Sequence, residues 1–142
     1  AGMVAALDEA VGRVHQGFVD KGMDDNLFIW FTTDNGGPVG ADLGKPKGIG
    51  CATGSQNYPL RGGKGAYFQG GVRGTSWVHG SMIASSLRGT TTFELMHVVD
   101  ILATVVDIAG GDASSESPHP LDGVSQKAVL VEGGVSPRSD VL

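Results

Sequence analysis

Leu27-Phe28-Ile29-Trp30-Phe31 runs without a break into Thr32-Thr33-Asp34-Asn35-Gly36-Gly37. A continuous apolar run of this length suits a strand covered on both faces, as in a parallel sheet. Polar residues at the carboxyl end of such a strand stand where α/β proteins hold their ligands. Upstream, Met3, Leu7, Ala10, Val11, Val14 and Phe18 recur at helical spacing, and Gly22 stands where a C-cap glycine belongs. A helix over residues 1–22 followed by a buried strand over 26–33 is half of an α/β repeat.

Downstream of the strand, residues 34–75 read as glycine-rich loops. The chain has 24 glycines in 142 residues, concentrated between Gly36 and Gly74, so this backbone turns tightly or lies close against something. A short strand is expected at Ser76–His79. Thr91-Thr92-Phe93-Glu94 is a capping box. It predicts a helix over 92–109, with Leu95, Val98, Val99, Leu102, Val105, Val106 and Ile108 on its apolar side and Gly110-Gly111 at its end. Residues 110–142 form a weakly patterned tail. The fold class expected is α/β. So few strands bury little surface by themselves, which suggests a segment of a larger domain.

Composition excludes some functions. Hydrophobic residues are 40 % of the chain, enough for a core. The net charge of −5 argues against a nucleic-acid surface. No apolar run approaches the roughly 20 residues of a membrane span. The single cysteine, Cys51, makes no internal disulfide, and it has no basic neighbour of the kind that activates a thiol.

Two stretches carry the chemistry. Asp34 and Asn35 offer a carboxylate and an amide oxygen side by side, the oxygen donors that a hard cation such as calcium takes. An Asx turn closing the strand explains the same residues. One carboxylate is too few for a divalent site, so further ligands are needed. Arg61-Gly62-Gly63-Lys64-Gly65 sets two cations among glycines, where backbone N–H groups and a mobile ammonium can meet an anion. A solvated basic loop is the rival reading. A phosphate-binding P-loop does not fit, since Gly65 follows Lys64 where Ser or Thr is required, and Tyr58 occupies the first glycine position. Among the histidines, His97 reads as a structural group on the later helix, His79 is ambiguous, and His15 and His119 are peripheral.

The ordered combination is more specific than its parts. Thr33-Asp34-Asn35-Gly36-Gly37, then Asn57-Tyr58-Pro59-Leu60-Arg61-Gly62-Gly63-Lys64-Gly65, then Gly70-Gly71-Val72-Arg73-Gly74 closely resembles the type I sulfatase family, in particular its arylsulfatase B-like branch. Leu7-Asp8-Glu9-Ala10-Val11-Gly12, Glu94-Leu95-Met96-His97-Val98-Val99-Asp100 and Pro120-Leu121-Asp122-Gly123 extend the likeness over nearly the whole chain. The resemblance implies that residues 1–142 are part of a sulfatase catalytic domain with an alkaline-phosphatase-like, mainly parallel sheet flanked by helices. It implies that Asp34 and Asn35 are calcium ligands and that Lys64 is the catalytic, substrate-binding lysine on the sulfate. Arg61 and Arg73 take supporting roles.

The family cleaves sulfate esters with a formylglycine made from the cysteine of a Cys-x-Pro-x-Arg motif. Cys51 is followed instead by Ala52-Thr53-Gly54. The nucleophile, two further aspartate ligands and other basic residues are therefore expected in a missing N-terminal part of the domain. Both ends of the chain read as cut. A sulfated small molecule or sulfated glycan is the implied substrate, and a lysosomal, secreted or periplasmic location goes with the family. Gln69 stands where the family usually has Glu, Ile101 and Ala103 stand for a usual Trp and Pro, and the loop from Pro38 to Gln56 is longer than in the nearest branch. Two other classes remain: an anion-binding module without chemistry, and a phosphatase or phosphotransferase of the same superfamily.

Overall fold

A computed structural model of the chain describes residues 2–39, 54–115 and 119–141. Cys51 and most of the 38–56 loop lie outside the described residues. The chain divides into two compact units, Ala1–Ile29 with Val78–Leu142, and Trp30–Trp77.

In the first unit, α1 spans Gly2–Asp20. It ends in a Schellman motif: Met23 N–H donates to Phe18 C=O at 3.0 Å and Gly22 N–H to Val19 C=O at 2.9 Å. Gly22 has φ +65°, a conformation that costs a side-chain-bearing residue about 1 kcal/mol or more. The helix buries no residue, and Met3, Val4, Leu7 and Val14 are all exposed. Its periodic apolar side is thus only partly covered among the described residues, by half-burial of Ala10, Val11 and Phe18.

Strand β1 is Ile29–Thr32 and β2 is Ser76–His79, and the two form one two-stranded sheet. Thr33 N–H donates to Thr75 C=O at 2.9 Å, while Met82 N–H donates to Leu27 C=O at 3.4 Å. Position 33 meets 75 and position 27 meets 82, so the strands run antiparallel. This differs from the parallel neighbour expected for the apolar run. The reason lies in the connection. A parallel pair needs a crossover, usually a helix of a dozen or more residues. The described residues between the strands are turns and one four-residue helix, α2, at Gln69–Val72. The run itself is half-covered, with Ile29, Trp30 and Phe31 intermediate and Thr32 exposed.

The later helix is shorter than its pattern suggested. α3 spans Asp100–Ile108, and residues 91–97 are not helical. Glu94 is the reason. Its carboxylate accepts from Ser136 N–H at 2.7 Å instead of reaching back to a helix start. Asp100 takes that role, accepting from His97 N–H three residues earlier at 2.9 Å. Gly110 (φ +82°) terminates α3, with Gly111 N–H donating to Val106 C=O.

α3 turns an unexpected face inward. Its buried residues are Asp100, Ala103 and Thr104, whereas Leu102 is 58 % and Val105 47 % exposed. The inward face meets described residues of the tail through hydrogen bonds. Asp100 is fully buried and accepts from five donors: His97 N–H, Val124 N–H, Gln126 Nε2, and Arg138 through Nε at 2.7 Å and a second guanidinium nitrogen at 2.5 Å. Thr104 Oγ1 donates to Asp100 C=O and accepts from Gln126 N–H. A π-helical turn at Ala128–Glu132 buries Val129 and Leu130. On the outer edge Lys127 pairs with Asp107 at 3.2 Å.

Burial alone would push the Asp100 carboxyl up. The Arg138 hydrogen bonds, the backbone donors of Val124 and His97, and the Arg138 charge outweigh it and hold the pKa lowered to about 2. A depressed carboxylate contributes stability above its unfolded pKa, and that contribution disappears as pH falls from about 4 toward 2. Urea midpoints compared at pH 5 and pH 2.5 are expected to show this loss, about 2 kcal/mol from this group, and Asp100→Asn is expected to remove the Asp100 share of it. Arg138→Met leaves the carboxylate buried without its partner and is expected to destabilise the fold by about 3–5 kcal/mol in urea unfolding.

Candidate functional site

The site residues read from the sequence lie in the second unit, Trp30–Trp77. It is organised by β1 and by three glycine-containing turns that meet backbone to backbone. Gly36 N–H donates to Gly71 C=O at 2.9 Å, Lys64 N–H to Gly37 C=O at 3.0 Å, and Gly70 N–H to Arg61 C=O at 2.8 Å. These bonds join the segment after β1, the Asn57–Gly65 turn and the start of α2.

Glycine is required here by space. A Cβ on Gly36 would lie 1.8 Å from the Gly70 carbonyl oxygen, and one on Gly70 would lie 2.2 Å from the Gly62 carbonyl oxygen. Both obstacles are backbone, so neither clash can be relieved by a rotamer change. The absence of side chains at these points is what lets three segments share one small volume.

Asn57 fastens the turns. Its Nδ2 donates to Gly37 C=O at 2.8 Å and to Gly62 C=O at 3.1 Å, and its Oδ1 accepts from Gly37 N–H at 3.1 Å. One amide thus holds both backbone groups of Gly37 and a carbonyl of the basic turn. Sequence reasoning quoted Asn57 within a motif but gave it no task. The available signal was its position: an amide that is both donor and acceptor, placed just ahead of a glycine-rich turn.

The structure puts Asp34 and Asn35 on the turn leaving β1. Asp34 is exposed and Asn35 half-buried. Asn35 Nδ2 donates to Gly36 C=O at 2.9 Å, which turns the amide oxygen the other way. Lys64 is exposed, and its backbone is tied to Gly37, two residues beyond Asn35. The local backbone therefore brings the carboxylate–amide turn and the lysine turn together by main-chain bonds. Arg61 does not join them through its side chain: the guanidinium lies over the Phe68 ring at 3.8 Å. Arg73 reaches Gln69 at 3.4 Å, a long contact on the surface.

Calcium takes six to eight oxygens. Asp34 and Asn35 supply hard oxygen donors of the right kind but only part of that number. Among the described residues, no group of three or more His, Cys, Asp or Glu is gathered as a metal site. The residues thus fit one side of a calcium site.

With this geometry in view, comparison with known proteins is informative. The family model described as Sulfatase matches residues 1–111. Mouse arylsulfatase J is 34 % identical over 142 residues, covering 100 % of this chain and 21 % of that protein. A sulfatase of Formosa agariphila is 31 % identical over 141 residues, covering 93 % of this chain and 23 % of its own. Human N-acetylgalactosamine-6-sulfatase is 27 % identical over 137 residues, covering 95 % and 24 %.

The chain belongs to the sulfatase family. That membership carries the alkaline-phosphatase-like α/β fold class, and the family as a whole comprises sulfuric ester hydrolases acting on sulfated substrates, generally with calcium. The chain spans between a fifth and a quarter of the length of these curated relatives. No helix among the described residues is long and apolar enough to cross a membrane.

Two substitutions test the turn architecture. Asn57→Ala strands backbone groups of Gly37 and Gly62 and is expected to cost about 1–3 kcal/mol. Gly36→Ala forces two main chains apart and is expected to cost about 3 kcal/mol. Hydrogen exchange at the Lys64 and Gly36 amides, which these turns hold, should accelerate in both variants.

Proposed function

We propose that this chain is the later part of a sulfatase catalytic domain, and that it holds one side of a calcium and sulfate site. The carrying observation is the main-chain bond from Lys64 N–H to Gly37 C=O, made on the turn that bears Asp34 and Asn35. In this reading Asp34 and Asn35 are calcium ligands, and Lys64 is the catalytic residue that binds substrate sulfate. β1 is one strand of a larger, mainly parallel sheet. Two observations support that wider setting: apolar residues of both α1 and α3 stay exposed among the described residues, with Leu7 at 48 % and Leu102 at 58 %.

The chemistry follows from charge. A sulfate ester gathers negative charge on its oxygens as its S–O bond to the leaving group breaks. Bound calcium supplies a fixed positive charge that stabilises those oxygens. Lys64 supplies a second, from an ammonium on a flexible side chain whose backbone is held by Gly37. Asn57 keeps the lysine turn and the Asp34 turn in register. Gln69 leaves this edge with an amide. The ester is that of a sulfated small molecule or a sulfated glycan.

Nucleophilic chemistry is assigned outside these residues, because the sequence has no Cys-x-Pro-x-Arg motif. By itself the chain is expected to release no sulfate from an aryl sulfate and to bind calcium weakly. In a full-length protein carrying a nucleophile motif, Lys64→Ala is expected to lower kcat/KM for an aryl sulfate by about 10²–10³-fold. Asp34→Ala is expected to weaken calcium binding in calorimetry. Sulfate release by the isolated chain would overturn the division of the site. Tight binding of a sulfated ligand without hydrolysis in the full-length protein would favour an anion-binding module. A Ser or Thr nucleophile with phosphate-ester turnover would favour a phosphatase or phosphotransferase.

A further inference from the structure

The two histidines that the sequence left without a role stand together in the first unit. His15 lies in α1, and His79 is the last residue of β2. Their Nε2 atoms are 3.4 Å apart, their ring centroids 4.8 Å apart, and the planes meet at 84°. His79 is exposed and His15 half-buried, so the gap between the nitrogens is reached from solvent.

An imidazole–imidazole hydrogen bond is one account of this contact, but 3.4 Å is long beside the roughly 2.7–3.2 Å of ordinary N–H···O bonds. It matches another distance. Two imidazole nitrogens bonded to one tetrahedral zinc ion at about 2.0–2.1 Å stand about 3.3–3.4 Å apart, with ring centroids about 5 Å apart. The two Nε2 atoms are in contact with each other, and each is a metal-binding nitrogen when its ring proton sits on Nδ1.

The supports are regular elements. His15 is carried by a regular helix five residues before its end, and His79 by a paired strand. Gly80 then packs so closely on Leu27 that a Cβ would lie 1.9 Å from its carbonyl oxygen, which fixes where β2 ends. Preorganised ligands on regular elements lose little freedom when a metal binds.

We propose that His15 and His79 form a two-histidine site for a borderline divalent transition metal, zinc or copper in class, with water completing the coordination. Imidazole donors favour these ions over calcium. The proposal shares no residue with the Asp34–Asn35 turn and does not depend on the sulfatase reading.

The test is a titration of the whole chain with Zn(II), in excess calcium so that oxygen donors are occupied, followed by calorimetry and by the imidazole proton signals. One equivalent of zinc is expected to move the His15 and His79 signals together. His15→Gln and His79→Gln should each weaken binding by about tenfold or more, with the helical circular-dichroism signal unchanged. His119→Gln and Cys51→Ser should leave the affinity within about twofold. Zinc binding that survives the double variant His15→Gln/His79→Gln, that disappears with Cys51→Ser, or that is undetectable in the parent chain would overturn the proposal.

Discussion

Removing a carboxylate from water costs several kcal/mol unless donors replace the lost hydration, and Asp100 is fully buried with five donors around it. Two come from a single guanidinium, Arg138, whose planar fork matches a carboxylate edge. Much of the order in the first unit follows from that requirement. The donors are drawn from His97, Val124, Gln126 and Arg138, so meeting them fixes the start of α3 and folds the tail over its inward face. The same carboxylate that stabilises the tail also starts the helix, by accepting from His97 N–H. This explains why α3 begins at Asp100 and why its polar side, not its apolar side, is the covered one.

The second unit solves a different problem by different means. Among the described residues its turns carry no buried ion pair. They approach until carbonyl oxygens occupy the space where side chains would stand, and the hydrogen bonds run main chain to main chain, fastened by the Asn57 amide. Such an arrangement leaves charged side chains at the surface of a rigid backbone.

Family membership and local geometry bear on different questions. Similarity over residues 1–111 establishes the sulfatase family. It says nothing of how the turns are held or of why Asn57 matters, and those come from the hydrogen bonds.

Much was legible in the sequence because it depends on neighbours along the chain. The periodicity of α1, the Gly22 stop, the strand-length apolar run and the ordered motifs are local signals, and helix caps and turns are local physics. The sequence by itself also determined the family, through motifs whose order survives without coordinates. Three matters needed the tertiary structure. The capping box at Thr91–Glu94 was outcompeted because Glu94 met Ser136, 42 residues away, and no local pattern encodes that choice. The antiparallel pairing of β1 with β2 depended on how the intervening turns fold back, which hydrophobicity alone leaves open. The tail looked unpatterned because Gln126, buried, and Ser136 and Arg138, half-buried, are polar residues covered by hydrogen bonding, and hydrophobic periodicity is blind to burial of that kind.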